Sequence, residues 1–280
     1  TLIEDDDTGV LSVPFLVYEN MAGIRSRITR SRRGECGTQK LSFSILHPQI
    51  HTTNPMLEFS VVVWQNSRDD TRQILNQPTF VRSSELVFLD AASFDAGNEH
   101  RWADNRSLKY NGLNVVSVDF YDPYYHVTLD RDAVPIGYFY HEDFNSRSHF
   151  EARDIHRSAS YAADYTFVHF SLATPPLDGK VYVFGQLSDF AFSDANRMSY
   201  DEQVGAYKLS MQMKQGLHSY QYVVVDDKGR VSTADTEGSF ADTENDYFIA
   251  VYYRPQSETH DRLIAFKRHN SMKTINDFIK

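Results

Sequence analysis

Arginine is concentrated in one short segment near the start of the chain, Arg25–Arg33. This segment holds five arginines in nine residues, although the whole protein has a formal net charge of −10. Guanidinium groups bind carboxylates and phosphates through paired hydrogen bonds, so Arg25, Arg27 and Arg30 are candidate contacts for a partner carrying those groups. The other interpretation, which we prefer, is a solvated edge strand whose charges prevent pairing with another chain.

A second segment, residues 96–108, places acidic and basic side chains around a tryptophan. Tryptophan and arginine supply a large share of the binding energy in protein interfaces, so a partner-binding cluster is one hypothesis. Its candidate contact residues are Glu99, Arg101, Trp102 and Arg106. The alternative is an internal network of ion pairs in which the tryptophan fills core space, and we prefer that interpretation.

The sequence lacks the patterns that indicate catalysis. His47 and His51 are four residues apart, but Pro48 lies between them and no carboxylate follows in the zinc-protease arrangement. Glycine-rich phosphate loops and the Gly-x-Ser-x-Gly elbow are absent. The single cysteine, Cys36, has no second thiol or base beside it. We therefore expect a protein that is not an enzyme, with no catalytic, cofactor-binding or metal-binding residues.

The elements that must position these residues are strands. The chain contains 19 Phe and 17 Tyr, and aromatic residues favour pleated sheets. Short alternating or apolar runs recur between turn residues, a pattern typical of β-sandwiches. Examples are Leu57–Trp64, Ile136–Tyr140, Tyr165–Leu172 and Ser219–Asp226. We predict an all-β fold with two immunoglobulin-like (E-set) β-sandwich domains in tandem.

The strand pattern lapses over residues 152–163, which we interpret as a domain junction. The expected boundaries are 21–155 for the first sandwich and 160–270 for the second, with 271–280 as a tail.

The charge and hydropathy of the chain exclude two classes of partner. A net charge of −10 repels phosphate backbones, so we expect no nucleic acid partner. No run of about 18 apolar residues occurs, so we expect no insertion into a membrane as a helix.

Short segments spread from about Val10 to Asn270 carry a family resemblance. They are Gln77–Arg82, Ser84–Phe88, Gly97–Glu99, Arg106–Leu108, Asp178–Gly179, Val181–Gly185, Asn196–Met198, Tyr220–Val225, Glu244–Tyr247, Val251–Arg254 and Asp261–Ile264. In this order they resemble the plug protein family of the bacterial type IX secretion system.

The resemblance implies a non-catalytic periplasmic protein that binds the very large outer-membrane β-barrel translocon. Such a protein closes the periplasmic opening of the barrel when no substrate is engaged, and is associated with the outer membrane only through this partner. The resemblance also implies that residues 1–20 are the last strand and linker of an N-terminal domain that is mostly missing. We expect a monomer outside the complex.

The second half of the chain carries another resemblance, in Val181–Gly185, Asp189–Phe190, Met198, Gly205–Tyr207 and Gly216–Asp226. These segments are similar to glycogen- and starch-binding modules, which are immunoglobulin-like sandwiches. The alternative function is therefore a carbohydrate-binding module. Those modules have tryptophans near Phe190 and just past Gly229 and a lysine near Gln221, and this sequence lacks all three. The plug function is accordingly the preferred expectation.

Overall fold

The computed structural model describes residues 15–31, 37–154 and 163–272, together with the backbone of residues 2–3 and 9–11. This part of the chain is almost entirely β-structure. In chain order its strands are β1 (Leu2–Ile3), β2 (Gly9–Leu11), β3 (Gly23–Arg30), β4 (Thr38–Leu46), β5 (Phe59–Gln65), β6 (Gln73–Leu75), β7 (Phe80–Arg82), β8 (Glu85–Asp95), β9 (Arg101–Asp104), β10 (Val115–Tyr121), β11 (Tyr124–Leu129), β12 (Asp132–Ala133), β13 (Ser148–Phe150), β14 (Tyr165–Ala173), β15 (Lys180–Phe184), β16 (Ser199–Asp201), β17 (Ala206–Lys214), β18 (Gly216–Val225), β19 (Val231–Ser232), β20 (Asp246–Tyr253) and β21 (Arg262–Asn270).

Helical structure in the described part is limited to three short pieces. These are the single-turn helix α1 (Pro55–Glu58) and the 3-10 turns Asp69–Thr71 and Gln186–Ser188. No helix in the described residues is long and apolar enough to cross a membrane. The predicted all-β sandwich class is confirmed.

One hydrophobic core lies between two four-stranded sheets. Their strand orders are β3-β4-β8-β7 and β21-β20-β5-β6. In β5 buried and partly exposed side chains alternate over its whole length, as the period-2 geometry of a strand requires. Side chains from both sheets meet here, and the rings of Phe94 on β8 and Tyr247 on β20 lie with their centroids 5.1 Å apart. We call this the first sandwich.

A second core lies between two further sheets. One has the strand order β10-β11-β14-β17-β16, and the other is organised around β18. The first half of β18 pairs with β9 and β13, and its second half pairs with β15 and β19. We call this the second sandwich. Because β9 pairs with β18, the central strand of this sheet, the segment 96–108 belongs to this sandwich.

The strand pairing does not follow the boundary expected between residues 155 and 160. β11 pairs in parallel with β14, so one sheet continues across the expected junction. β20 and β21, which were expected in the second domain, lie in the first sandwich. The second sandwich is therefore built from chain inserted between β8 and β20, and the two are not in tandem. The residues 155–162 at the expected junction lie outside the described residues.

The expected last strand within residues 1–20 is also placed differently. β1 and β2 pair with each other, and residues 15–20 form no strand. The backbone N–H groups of Glu19 and Met21 donate to the carbonyl groups of Leu263 and Ile264, so this segment runs along β21.

Candidate functional site

Arg101 lies at the centre of a buried ion network. Its Nε is 3.1 and 3.0 Å from the two carboxylate oxygens of Glu237, and its Nη1 is 2.8 Å from Oδ1 of Asp132. Its Nη2 donates to the carbonyl oxygen of Ala133 at 2.8 Å, and its guanidinium lies 5.2 Å from the centre of the Tyr222 ring. Burial by itself lowers the pKa of Arg101, but the attraction of Glu237 and Asp132 raises it above its ordinary value.

Arg106 and Trp102 are also held by neighbours within the protein. Arg106 binds Asp104 through two hydrogen bonds of 2.8 and 2.7 Å and contacts Glu151 at 3.1 Å. Burial raises the pKa of Asp104, but hydrogen bonds from Arg106 outweigh burial and bring the pKa below its ordinary value. The Trp102 ring packs edge-on against Phe144 with centroids 4.8 Å apart. The internal ion pairs are therefore present as predicted, while Trp102 is partly exposed and outside both hydrophobic cores, and partner binding by these side chains stays a prediction.

Residues 134–147 cross the surface beside this network without forming a strand or helix, and we call this segment the strap. The prediction of a strand at Ile136–Tyr140 is wrong, because no neighbouring strand pairs with this backbone in the described part of the chain. Ile136 is fully exposed and Phe139 is 79% exposed, while Tyr140 and Phe144 are also exposed. Exposed apolar side chains that lie close together on one segment are a candidate contact surface.

Contacts to residues 99–100 hold the strap in place. The Tyr138 hydroxyl donates to Oε1 of Glu99 at 2.6 Å, and the His141 imidazole donates to the carbonyl oxygen of His100 at 2.9 Å. Asp143 accepts from the backbone N–H of His100 at 2.5 Å, and its Oδ2 is 3.4 Å from Nδ1 of the fully buried His100 ring. Burial opposes ionisation of Asp143, but His100 and two backbone N–H groups hold its pKa below the ordinary value.

The strap and the ends of β20 and β21 enclose a pocket of 370 Å³, which we call the acidic pocket. Its charged lining includes the carboxylates of Glu142, Asp143, Glu244 and Asp246 and the guanidinium groups of Arg147 and Arg268. Arg268 is already bound to Asp246, with Nη2 2.5 Å from Oδ2. Asp143 is fully buried against His100, so Glu142 and Glu244 are the lining carboxylates not already engaged in these pairs, and they give the pocket its preference for a cation.

Glu244 has the largest carboxyl pKa shift at this pocket. Burial, and then the nearby Asp246 carboxylate, raise the pKa of Glu244 to about 7. Asn145 Nδ2 donates to Oε2 of Glu244 at 3.1 Å, and Asn270 Nδ2 donates to Oε1. Burial also raises the pKa of Glu99, which lies under the strap. A cation in the pocket would favour the ionised form of Glu244.

The other sequence candidates lie on β3, which is an edge strand as predicted. Arg30 reaches the pocket region, because its Nη1 is 2.8 Å from Oδ1 of Asp242 and its Nη2 is 3.2 Å from Sδ of Met272. Arg25 and Arg27 have the opposite strand phase and are exposed. The side chains of Arg32 and Arg33 fall outside the described residues.

The position at which related modules carry a sugar-binding lysine is occupied here by Gln221. Gln221 is buried, and its Nε2 donates to the carbonyl oxygen of Asn98 at 3.1 Å. Its side chain is therefore not accessible to a sugar. Within the described ranges, no three His, Cys, Asp or Glu side chains are placed to hold a metal ion.

The strap was missed as a site by sequence reasoning. Its signal is the run Tyr138–Asp143, where four aromatic or imidazole rings are followed by two acids, but this run also fits an ordinary strand end. What distinguishes it is exposure, which a sequence pattern does not show.

No family model and no curated protein matches this chain. A solved structure is similar, the crystal structure of a hypothetical protein from Parabacteroides merdae ATCC 43184, with 31% sequence identity and a TM-score of 0.85. The match covers 90% of this chain and 66% of that chain. The chain thus spans just under two thirds of that protein, and the similarity supports the fold described above.

Proposed function

We propose that this chain is a non-catalytic periplasmic plug that binds the outer-membrane barrel of the type IX secretion system and closes its periplasmic opening. The observation that carries the proposal is the strap, which holds apolar side chains out into solvent on a scaffold fixed by Glu99, His100 and Trp102. Fixed, exposed apolar side chains beside charged groups are typical of protein interfaces. The collinear sequence resemblance supplies the identity of the partner.

A plug must leave its channel during transport, so its contact surface must also be compatible with solvent. The carboxylates around the strap and the net charge of −10 meet this requirement. Exposed charge pairs are screened over about 8 Å at physiological ionic strength. Affinity for the barrel should therefore fall as the salt concentration rises, and affinity that is independent of salt would indicate an apolar interface.

Deletion of the gene tests the function directly. We expect the translocon to remain assembled while the outer membrane becomes leaky to small molecules, measured by uptake of a normally excluded dye or antibiotic. Restoring the full chain should restore the barrier. An intact barrier in the deletion strain would refute the plug function.

A carbohydrate-binding module is the second candidate, supported by the similarity of the second half of the chain to such modules. The buried Gln221 argues against sugar binding at the position where those modules bind it. Retention of the purified chain on a glucan resin, without co-purification of a barrel, would favour this alternative.

A further inference from the structure

We propose that the strap and the acidic pocket form the contact surface for an extended segment of the partner, in which an arginine or lysine side chain lies between apolar residues. This inference rests on the proposed function and specifies where the partner binds and by what chemistry. The basic side chain enters the acidic pocket, and its apolar neighbours cover Ile136 and Phe139.

The backbone under the apolar half of this surface is anchored at Tyr138. Tyr138 lies between Ile136 and Phe139 and turns inward, where its hydroxyl is 2.6 Å from Glu99 and 3.0 Å from the carbonyl oxygen of Asp242. Because Tyr138 is held by these two bonds, the backbone between the two exposed side chains needs little further ordering when a partner binds. Low ordering cost is what gives a small apolar contact useful affinity.

The charged half selects a cation. Asp246 is bound to Arg268, and Asp143 is fully buried against His100, so the carboxylates that can meet a ligand are those of Glu142 and Glu244, beside the guanidinium group of Arg147. Asn145 also lines the pocket and is only 7% exposed, and its Oδ1 has no hydrogen-bond partner among the described residues. A buried acceptor of this kind is stabilised by a hydrogen-bond donor, which a guanidinium or ammonium group provides.

The pocket fits a side chain better than a metal ion. Its volume is 370 Å³, and no three acidic, histidine or cysteine side chains of the described part are arranged as metal ligands. Tyr140, Phe144 and Met272 form apolar parts of the lining and match the methylene stem of an arginine or lysine.

Binding of a cation at this position depends on pH. Asp246 on β20, Asp143 on the strap and Glu99 beneath it face Glu244 with negative charge, and Arg268 on β21 faces it with positive charge. His149 and Arg147 also line the pocket. Since the pKa of Glu244 is about 7, its carboxyl group is mostly neutral at pH 6 and mostly charged at pH 8. Affinity for a cation should therefore rise from pH 6 to pH 8.

The binding experiment uses the full chain and the purified barrel subunit, measured by biolayer interferometry. We expect Phe139→Ser and Glu142→Lys each to weaken binding by about tenfold or more, the size typical of interface hot spots. Leu57→Ser and Glu202→Lys are matched controls, because Leu57 is 70% exposed in α1, which precedes the end of β5 far from the pocket, and Glu202 is an exposed acid in the β16–β17 turn. If the wild-type chain binds the barrel and the Phe139→Ser and Glu142→Lys variants bind it with the same affinity as these controls, the inference is overturned. The plug function would then still stand.

A second probe is independent of the barrel. Argininamide should cause saturable shifts of the Asn145 side-chain amide signal in NMR spectra of the full chain, more strongly at pH 8 than at pH 6. The shifts should be lost in Glu142→Lys, become less dependent on pH in Glu244→Gln, and be absent with acetamide. Absence of saturable shifts in the wild-type chain would overturn the cation site, whether or not the barrel binds. Absence of barrel binding by the wild-type chain would refute the proposed function.

Discussion

Replacing Arg101 by methionine should strongly destabilise the second sandwich. The substitution keeps most of the apolar stem but removes the guanidinium group that binds Glu237 and Asp132. The Glu237 side chain is 1% exposed, so its carboxylate would remain buried without its cation. Breaking a buried pair by removing one partner typically costs about 3–5 kcal/mol. This is a large share of the roughly 5–15 kcal/mol that stabilises a typical domain.

The loss should depend on pH with a definite sign. Burial raises the pKa of Glu237, and the attraction of Arg101 opposes that effect. Without Arg101 the pKa of Glu237 rises further, so the folded variant holds a proton that the unfolded chain releases. The stability of the variant therefore falls as pH rises above the ordinary pKa of a glutamate, at which the unfolded chain releases this proton. The deficit relative to wild type should be largest at pH 8 and smaller at pH 5.

Urea unfolding followed by tryptophan fluorescence measures this effect, since Trp102 lies next to Arg101 in β9. Arg25→Met is the matched control: its guanidinium is exposed on β3, and the expected change is below about 0.5 kcal/mol. Adding Glu237→Gln to Arg101→Met should recover part of the loss, because it removes the buried charge. A deficit below about 1 kcal/mol, or one equal at pH 5 and pH 8, would refute the reasoning.

Three further predictions concern packing, ionisation and strand order. Trp102→Ala should lower the free energy of unfolding by about 3 kcal/mol, since it removes the ring that packs on Phe144, and a thermal melt that matches wild type would contradict this. Glu244→Gln should stabilise the protein by about 1–2 kcal/mol at pH 8 and little at pH 4. The full shift of the Glu244 pKa to about 7 corresponds to about 3.4 kcal/mol, and partial exposure reduces this energy. Urea unfolding at the two pH values measures the difference in stability. Deleting residues 246–280 should unfold the first sandwich, because β20 and β21 supply half of one of its sheets; retained near-ultraviolet circular dichroism from that core would show the opposite.

The sequence predicts individual strands well where one face is buried. The run Leu57–Trp64 corresponds to β5 at Phe59–Gln65, and the alternating run Tyr165–Leu172 corresponds to β14 at Tyr165–Ala173. The Asp227–Gly229 turn is also found where expected, with Gly229 at φ 75°. These features depend on neighbours in the chain, and local patterns report them directly.

The residues of the candidate site were only partly predictable. Glu99, Arg101 and Trp102 stand out by type and spacing, and the ion network around Arg101 agrees with that pattern. The sequence pattern predicts a strand at Ile136 and Phe139, because an apolar residue type does not show whether its side chain is buried or exposed. In the fold Tyr138 binds Glu99, which lies 39 positions away in the chain, while Ile136 and Phe139 are left exposed.

The sequence by itself therefore determined the all-β class, most strands and the absence of recognisable catalytic motifs. The tertiary structure decided which strands share a sheet, since a period-2 pattern specifies the buried face of a strand but not its hydrogen-bond partner. β20 pairs with β5, which precedes it by about 180 residues, and β14 pairs with β11 across the expected junction. Such pairings depend on long-range packing, and they alone place the strap, Glu244 and Asp246 around one pocket.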